Sequence, residues 1–382
     1  MTFRFGAALS TLEDPHAALD EVATLASAPL SDTPHLAVAF ATPHHAGIAD
    51  DLAARLADLV GEQGTSIGAI ADGVIGGSRE VDDGPGLSLW VARLPGVDVV
   101  SSHLEAVRTP EGVAVGGWSQ PVEPHGVILL ADPFTFPAGS FASTLGERGL
   151  PVVGGLVNGG GPGKAVLVRN GEVHRRGAVS VAMGGEVDFR TVVSQGCRPI
   201  GAPAVVTRVE GTTIEEIGGR PALEYLQDMI DTLDRGDRRL VASGLQIGVA
   251  ADEYRTEFER GDFLVRGVVD ADPDAGTISI GEHVAVGQTV QFQVRDPDGA
   301  DEDLRALLAG EPTGTGVLIF SCNGRGSRFF GRPDHDAAVV DEVLDPAAAA
   351  GFFAAGELGP VGGANHLHGF TASILELRPR PG

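Results

Sequence analysis

The residues best suited to chemistry lie in two strings near the end of the sequence. In GVLIFSCNGRGSRFFG an apolar run passes directly into a polar loop, so Cys322, Asn323 and Arg325 emerge at the end of a strand. Open α/β sheets place their binding crevices at such strand ends. Arg325 offers a planar fork of donors suited to a carboxylate or phosphate, and Asn323 can both donate and accept. The competing reading pairs Arg325 with a nearby Asp or Glu. The second string, ELGPVGGANHLHGFTASILEL, carries Glu357, Asn365, His366, His368 and Thr371. If it is extended, period-2 geometry puts His366 and His368 on one face. Two histidines begin a metal site but need a third ligand, for which Cys322 and Glu357 are the candidates, and a hydrogen-bonding role for the pair is favoured. Cys322 with His368 could also serve as nucleophile and base, against the commoner role of a buried cysteine as packing. His44, His45 and His174 have no such spacing and read as surface residues.

Glycine-rich segments, VGGLVNGGGPGK among them, could form anion-binding nests or simply turns. The phosphate-loop pattern fails: Asn158 stands where its first glycine belongs, Ala165 follows Lys164, and a strand comes next instead of a helix. With no dinucleotide fingerprint either, no cofactor is expected.

These residues need a scaffold, and the pattern predicts strands alternating with helices. IADDLAARLADLVGEQG places Leu52, Leu56, Leu59 and Val60 on one face and stops at glycine. RPALEYLQDMIDTLDRG repeats that pattern, starting at Pro221 and ending at Gly236. Strands are expected in HLAVAFA, GVILLA, AVLVRNGEVHRRGAVSVAM, GTISIG, TVQFQVRD and GVLIFS, with Asn170-Gly171 as a two-residue hairpin turn. The expected fold is mixed α/β, two related halves with helix-covered mixed sheets. Three echoes suggest a pseudo-two-fold internal duplication: Ile67–Asp72 with Ile247–Asp252, Gly126–Asp132 with Gly316–Cys322, and Pro151–Asn158 with Pro360–Asn365. In that scheme Asp132 and Asn158 mark a first-half pocket.

Length and charge narrow the function. A chain of 382 residues exceeds one ordinary core, so two domains are expected. Lys and Arg number 27 against 52 Asp and Glu, giving 27 − 52 = −25. That field repels phosphate backbones and anionic headgroups, so nucleic acid and membranes are poor partners. Two cysteines make no disulfide framework. The N-terminus has no signal-peptide pattern, so the chain is expected to be mature and cytoplasmic.

The string CNGRG, followed by GELGPVGGANHLHGFTASI, resembles the C-terminal signature of FIST domain proteins. GAIADGVIGGSREV, AVLVRNGEVHRRGAVSVAMGG and VSQGCRPIGAPAVVTRVEGTTIEEIGGRPALEYL resemble the N-terminal FIST region. The resemblance covers nearly the whole chain and implies a FIST N-like domain over 1–210 and a FIST C-like domain over 211–382. It implies sensing of a small ligand, such as an amino acid, rather than catalysis. The chain carries no recognisable output segment, so a signal is expected to leave through a protein partner or by homo-oligomerisation. The expected ligand-binding residues are Cys322, Asn323, Arg325, Glu357, Asn365, His368, Thr371, Asn158 and Asp132. Arg325 would take a ligand carboxylate, Glu357 an amino group, and Asn365 and His368 the remainder. Two other readings stand beside this one: a thiol- or metal-dependent hydrolase using Cys322 and His368, and a non-enzymatic adaptor.

Overall fold

A computed structural model describes residues 2–380 except 111, 159, 256 and 312. Gly159, part of the glycine cluster noted above, lies outside the described residues. The chain forms two compact units: residues 1–193, 304–367 and 371–382 make the first, and residues 194–303 with 368–370 make the second. The expected mixed α/β class and two-domain arrangement hold.

Among the described residues the first unit holds three mixed sheets, and each repeats one plan. At the centre is a parallel pair joined through a helical connection: Leu36–Ala41 with Thr65–Ile70, Pro124–Ala131 with Val152–Leu156, and Gly316–Cys322 with Ala348–Ala354. An antiparallel strand flanks the first member of each pair: Leu87–Arg93, Ala178–Gly185 and Thr371–Pro379. A hairpin flanks the second member, and that hairpin is always supplied by another repeat. The hairpin Val74–Gly76/Arg79–Val81, which follows the first parallel pair, joins strand Ala348–Ala354. Leu167–Arg169/Glu172–His174, which follows the second pair, joins Thr65–Ile70. Strand Glu357–Val361, which follows the third pair and continues to Ala364–His368, joins Val152–Leu156.

A glycine marks each second parallel strand at the same point. A Cβ on Gly68, Gly154 or Gly351 would lie 2.7, 2.0 or 1.8 Å from the carbonyl oxygen of its neighbour, Ala39, Leu129 or Ile319. Repetition is therefore present, and its unit is smaller than half the chain. Of the three sequence echoes, Gly126–Asp132 with Gly316–Cys322 joins equivalent strands. Asp252 and Ile247 lie instead at a strand of the second unit, and Pro360–Asn365 forms a hairpin turn, whereas Pro151–Asn158 spans a central strand.

The inner faces of the three sheets share one core, where Phe40, Phe320 and Phe352 meet edge-on and tilted. Helices Pro15–Ser27 and Ala49–Val60 bury their apolar stripes on the outer face of the first sheet, with Leu52, Leu56 and Val60 buried as expected and Gly61 ending the second helix. Helices Ala138–Gly146 and His335–Leu344 do the same for the other two sheets. Asn170 and Gly171 both take positive φ, 45° and 85°, as a tight hairpin turn requires. His45 departs from expectation: it is buried on the turn after Leu36–Ala41.

The second unit is an antiparallel barrel inserted, in chain order, before strand Gly316–Cys322. Strand Thr289–Arg295 pairs with both Ala204–Glu210 and Leu245–Ala250, which closes the ring. Helix Ala222–Thr232 starts at Pro221 and buries Leu226 and Met229. It ends before Gly236, because Asp234 caps a new helix, Arg235–Ser243, by accepting the Asp237 N–H.

Candidate functional site

Strand Gly316–Cys322 ends beside the hairpin donated by the first repeat, so residues about 250 positions apart meet. The result is a cleft of about 370 Å³ wholly within the first unit. Asp72 and Gly73, just past strand Thr65–Ile70, form one wall; Asp82 and Asp83, just past the hairpin, form another; Asn323, the stretch from Arg325 to Arg328, and Phe353 complete it. Asn323 donates from Nδ2 to Asp72 Oδ2 at 2.7 Å, and Asn158 donates to the same oxygen at 3.4 Å. Ser327 donates its N–H and hydroxyl to Asp82 Oδ2 at 2.9 and 2.5 Å. Burial works against ionisation of Asp82, but these two bonds together with its own backbone N–H and the Arg328 charge hold the carboxyl below its ordinary range. The loop takes a tight path because Gly326 adopts φ 59°, and a Cβ there would crowd Asp82 at 3.1 Å.

Arg325 is the buried anchor of the loop. Its Nε and Nη2 donate to Asp336 Oδ2 and Oδ1 at 2.7 and 2.8 Å, a bidentate pair with both side chains about 1% exposed. Ser321 Oγ donates to the same carboxylate at 2.7 Å, and His335 Nδ1 lies 3.0 Å from it. Burial favours a neutral Asp336, but the Arg325 charge and hydrogen bonds override it and keep this carboxyl well below the usual range. Arg325 Nη1 is left without a hydrogen-bond partner.

Two carboxyls nearby are pushed the other way. Glu80, on the donated hairpin, rises to about 8 through burial and then the Asp336 charge, although it accepts the Ala337 N–H at 2.9 Å. Glu357 rises to about 8 through burial, which outweighs the Thr371 N–H and hydroxyl on its Oε2 at 3.1 and 2.8 Å and weaker help from Cys322 and Arg325. Both are held largely protonated at neutral pH.

The residues expected to bind ligand thus fall into groups. Asn323 and Arg325 line the cleft, and Asn158 reaches it through Asp72. Cys322, Glu357 and Thr371 lie beneath the loop as a buried cluster: the Gly324 N–H donates to Cys322 Sγ at 3.3 Å, and Thr371 is committed to Glu357. Asn365 is spent on structure. Its Oδ1 accepts from Val152 N at 3.0 Å, and its Nδ2 donates to the carbonyls of Ala142 and Leu150 at 2.9 and 2.8 Å. Asp132 caps a turn, taking the Thr135 hydroxyl at 2.6 Å and the Phe134 N–H at 3.1 Å. His368 is buried and belongs to the second unit. Among the described residues no group of three or more His, Cys, Asp or Glu side chains is placed to hold a metal ion.

Asp72, Glu80, Asp82 and Asp336 were not singled out from the sequence. Asp336 does carry a signal: it sits at i, i+4, i+8 spacing with Val340 and Leu344 on the buried stripe of its helix, where a carboxylate requires a cation.

The scaffold defines a mixed α/β class, and the comparisons supply the family. The FIST N domain model matches residues 35–220 and the FIST C domain model residues 222–360, so the chain belongs to the FIST family of sensory, small-ligand-binding proteins. It is 43% identical to "Uncharacterized protein Rv0628c" of Mycobacterium tuberculosis, over 97% of this chain and 98% of that protein. It is 40% identical to "Uncharacterized protein Mb0898c" of Mycobacterium bovis over the same shares. No helix among the described residues is long and apolar enough to cross a membrane.

Proposed function

We propose that this chain is a cytoplasmic sensor that binds an amino acid, or a related carboxylate bearing an amino group, in the cleft between Asp72, Asp82 and the Asn323–Arg328 loop, and relays occupancy to a protein partner. The observation that carries the reading is the juxtaposition of acceptors and donors on one small cleft. Asp72, Asp82 and Asp83 supply acceptors for an ammonium group, while Arg328 supplies donors for a carboxylate and the Arg325 guanidinium, held behind the loop by Asp336, adds positive charge. Phe353 gives the cleft an apolar surface for a side chain. In this arrangement the ammonium falls to the aspartates rather than to Glu357, which is neutral and engaged by Thr371. Two free cysteines fit a reducing compartment.

The test is a thermal-shift screen against amino acids, organic acids and amines. A ligand at about 100 times its Kd contributes about 2.7 kcal/mol to the folded state and raises Tm clearly. A response to amino acids that is absent for the matching amine and the matching acid supports the reading; no response to any amino acid contradicts it.

A further inference from the structure

We propose, resting on the ligand reading above, that the amino acid this cleft takes is a basic one: Asp72 receives its α-ammonium, Arg328 its carboxylate, and Asp82 with Asp83 the ammonium or guanidinium at the end of its side chain.

Charge sets the class. Three aspartates line the cleft, against Arg328 and an Arg325 whose charge is shared with Asp336. A zwitterion with a neutral side chain brings no net charge and leaves that negative surplus in place, whereas a second cation offsets part of it. The carboxylates have capacity to accept one. Asn323 and Asn158 both donate to Oδ2 of Asp72, and Ser327 donates twice to Oδ2 of Asp82, so each carboxylate keeps room for another donor. Asp83 and Arg328 are exposed and make no hydrogen bond or ion pair among the described residues, so a ligand meets both without displacing a partner.

Carboxylates alone would make only a solvated acidic face; the concave shape and an apolar floor make this one a pocket. The floor is the edge of the Phe353 ring, held between two bare stretches of backbone. A Cβ on Gly73 would lie 2.7 Å from Phe353 Cδ2, and one on Gly326 3.4 Å from Cε1. Phe353 is only 4% exposed, too little to cover a whole apolar side chain but enough for a methylene stem to lie along. An apolar floor that gives way to an acidic rim matches a side chain with an aliphatic stem and a cationic head.

The test is titration calorimetry of the whole protein with lysine, norleucine and cadaverine. Norleucine keeps the lysine stem without its side-chain ammonium; cadaverine keeps both amines without the carboxylate. Lysine should bind at least about tenfold tighter than either, the scale of one charge-assisted hydrogen bond. Asp83→Asn should shrink the lysine-to-norleucine ratio by about fivefold or more, since it removes a charge that only the basic side chain meets. Asp83 holds no other described group, so the variant should fold with an unchanged Tm. Norleucine binding as tightly as lysine overturns the basic class while the amino-acid reading stands, whereas no response to any amino acid in the screen overturns both. Cadaverine binding as tightly as lysine, or an unchanged ratio in folded Asp83→Asn, overturns the assignment of groups.

Discussion

Arg325 and Asp336 form a bidentate ion pair, 2.7 and 2.8 Å, with both side chains about 1% exposed. The pair fixes the CNGRG loop to the helix behind it, and removing either partner strands a buried charge. Arg325→Ala should therefore destabilise the protein by about 3–5 kcal/mol, read as a lower midpoint in urea unfolding. The double replacement Arg325→Met with Asp336→Leu should cost markedly less than the sum of the two single changes. Strict additivity would show that the pair does not act as a unit. A lost ligand response in Arg325→Ala alone would report unfolding as readily as binding.

Glu80 and Glu357 make stability depend on pH. Both have folded values near 8, against 4.5 for the ordinary glutamate. Between those values the folded state holds protons the unfolded chain has released, so stability falls as pH rises from about 4.5 to about 8. Asp336 acts oppositely: its folded value lies below 3.8, so its contribution is present at neutral pH and is lost as pH falls below that range. Urea midpoints measured from pH 5 to 9 should decline, and Glu357→Gln should flatten the decline. A midpoint that rises across this range would contradict the account.

The glycines that mark the repeats give a steric prediction. Gly351→Ala places a Cβ 1.8 Å from the Ile319 carbonyl oxygen and 2.7 Å from its carbonyl carbon, both backbone atoms. It should cost more than about 3 kcal/mol or prevent folding, as expected for overpacking against an immovable group. Gly362→Ala, in the exposed hairpin turn at φ 61° with open space around it, should cost about 1 kcal/mol from backbone strain alone. Thermal unfolding of the two variants distinguishes them, and equal losses would contradict the packing.

Asn365 separates structure from binding. Its three buried hydrogen bonds join strand Ala364–His368 to Val152, Ala142 and Leu150. Asn365→Ala should lower stability by about 2–4 kcal/mol while leaving ligand affinity within about twofold, since three buried backbone groups lose their partner and the cleft is untouched.

The sequence made the strand ends and the dense motifs legible because these depend on local pattern: the apolar run Gly316–Cys322, the Asn170-Gly171 turn and the stripe of Leu52, Leu56 and Val60 all form as expected. What local pattern could not reveal is the exchange of hairpins between sheets. That exchange carries Asp72, Glu80 and Asp82 to a loop near residue 325, so most of the acidic side of the cleft escaped notice. Asn365 and Asp132 looked functional because polar residues beside glycines suit either a ligand or a turn. The distinction lies in which backbone groups they meet.

The central claim is that the cleft binds a ligand bearing an ammonium group, and titration calorimetry on the best amino acid of the thermal-shift screen tests it most directly. Asp72 accepts from Asn323 and Asn158, so Asp72→Asn removes the charge while keeping one amide oxygen to accept from them, and leaves the buried Arg325–Asp336 pair intact. The account predicts that Asp72→Asn weakens binding tenfold or more, about 1.4 kcal/mol, with Tm in the absence of ligand shifted by only a few degrees. Wild-type affinity in a folded Asp72→Asn protein would contradict it.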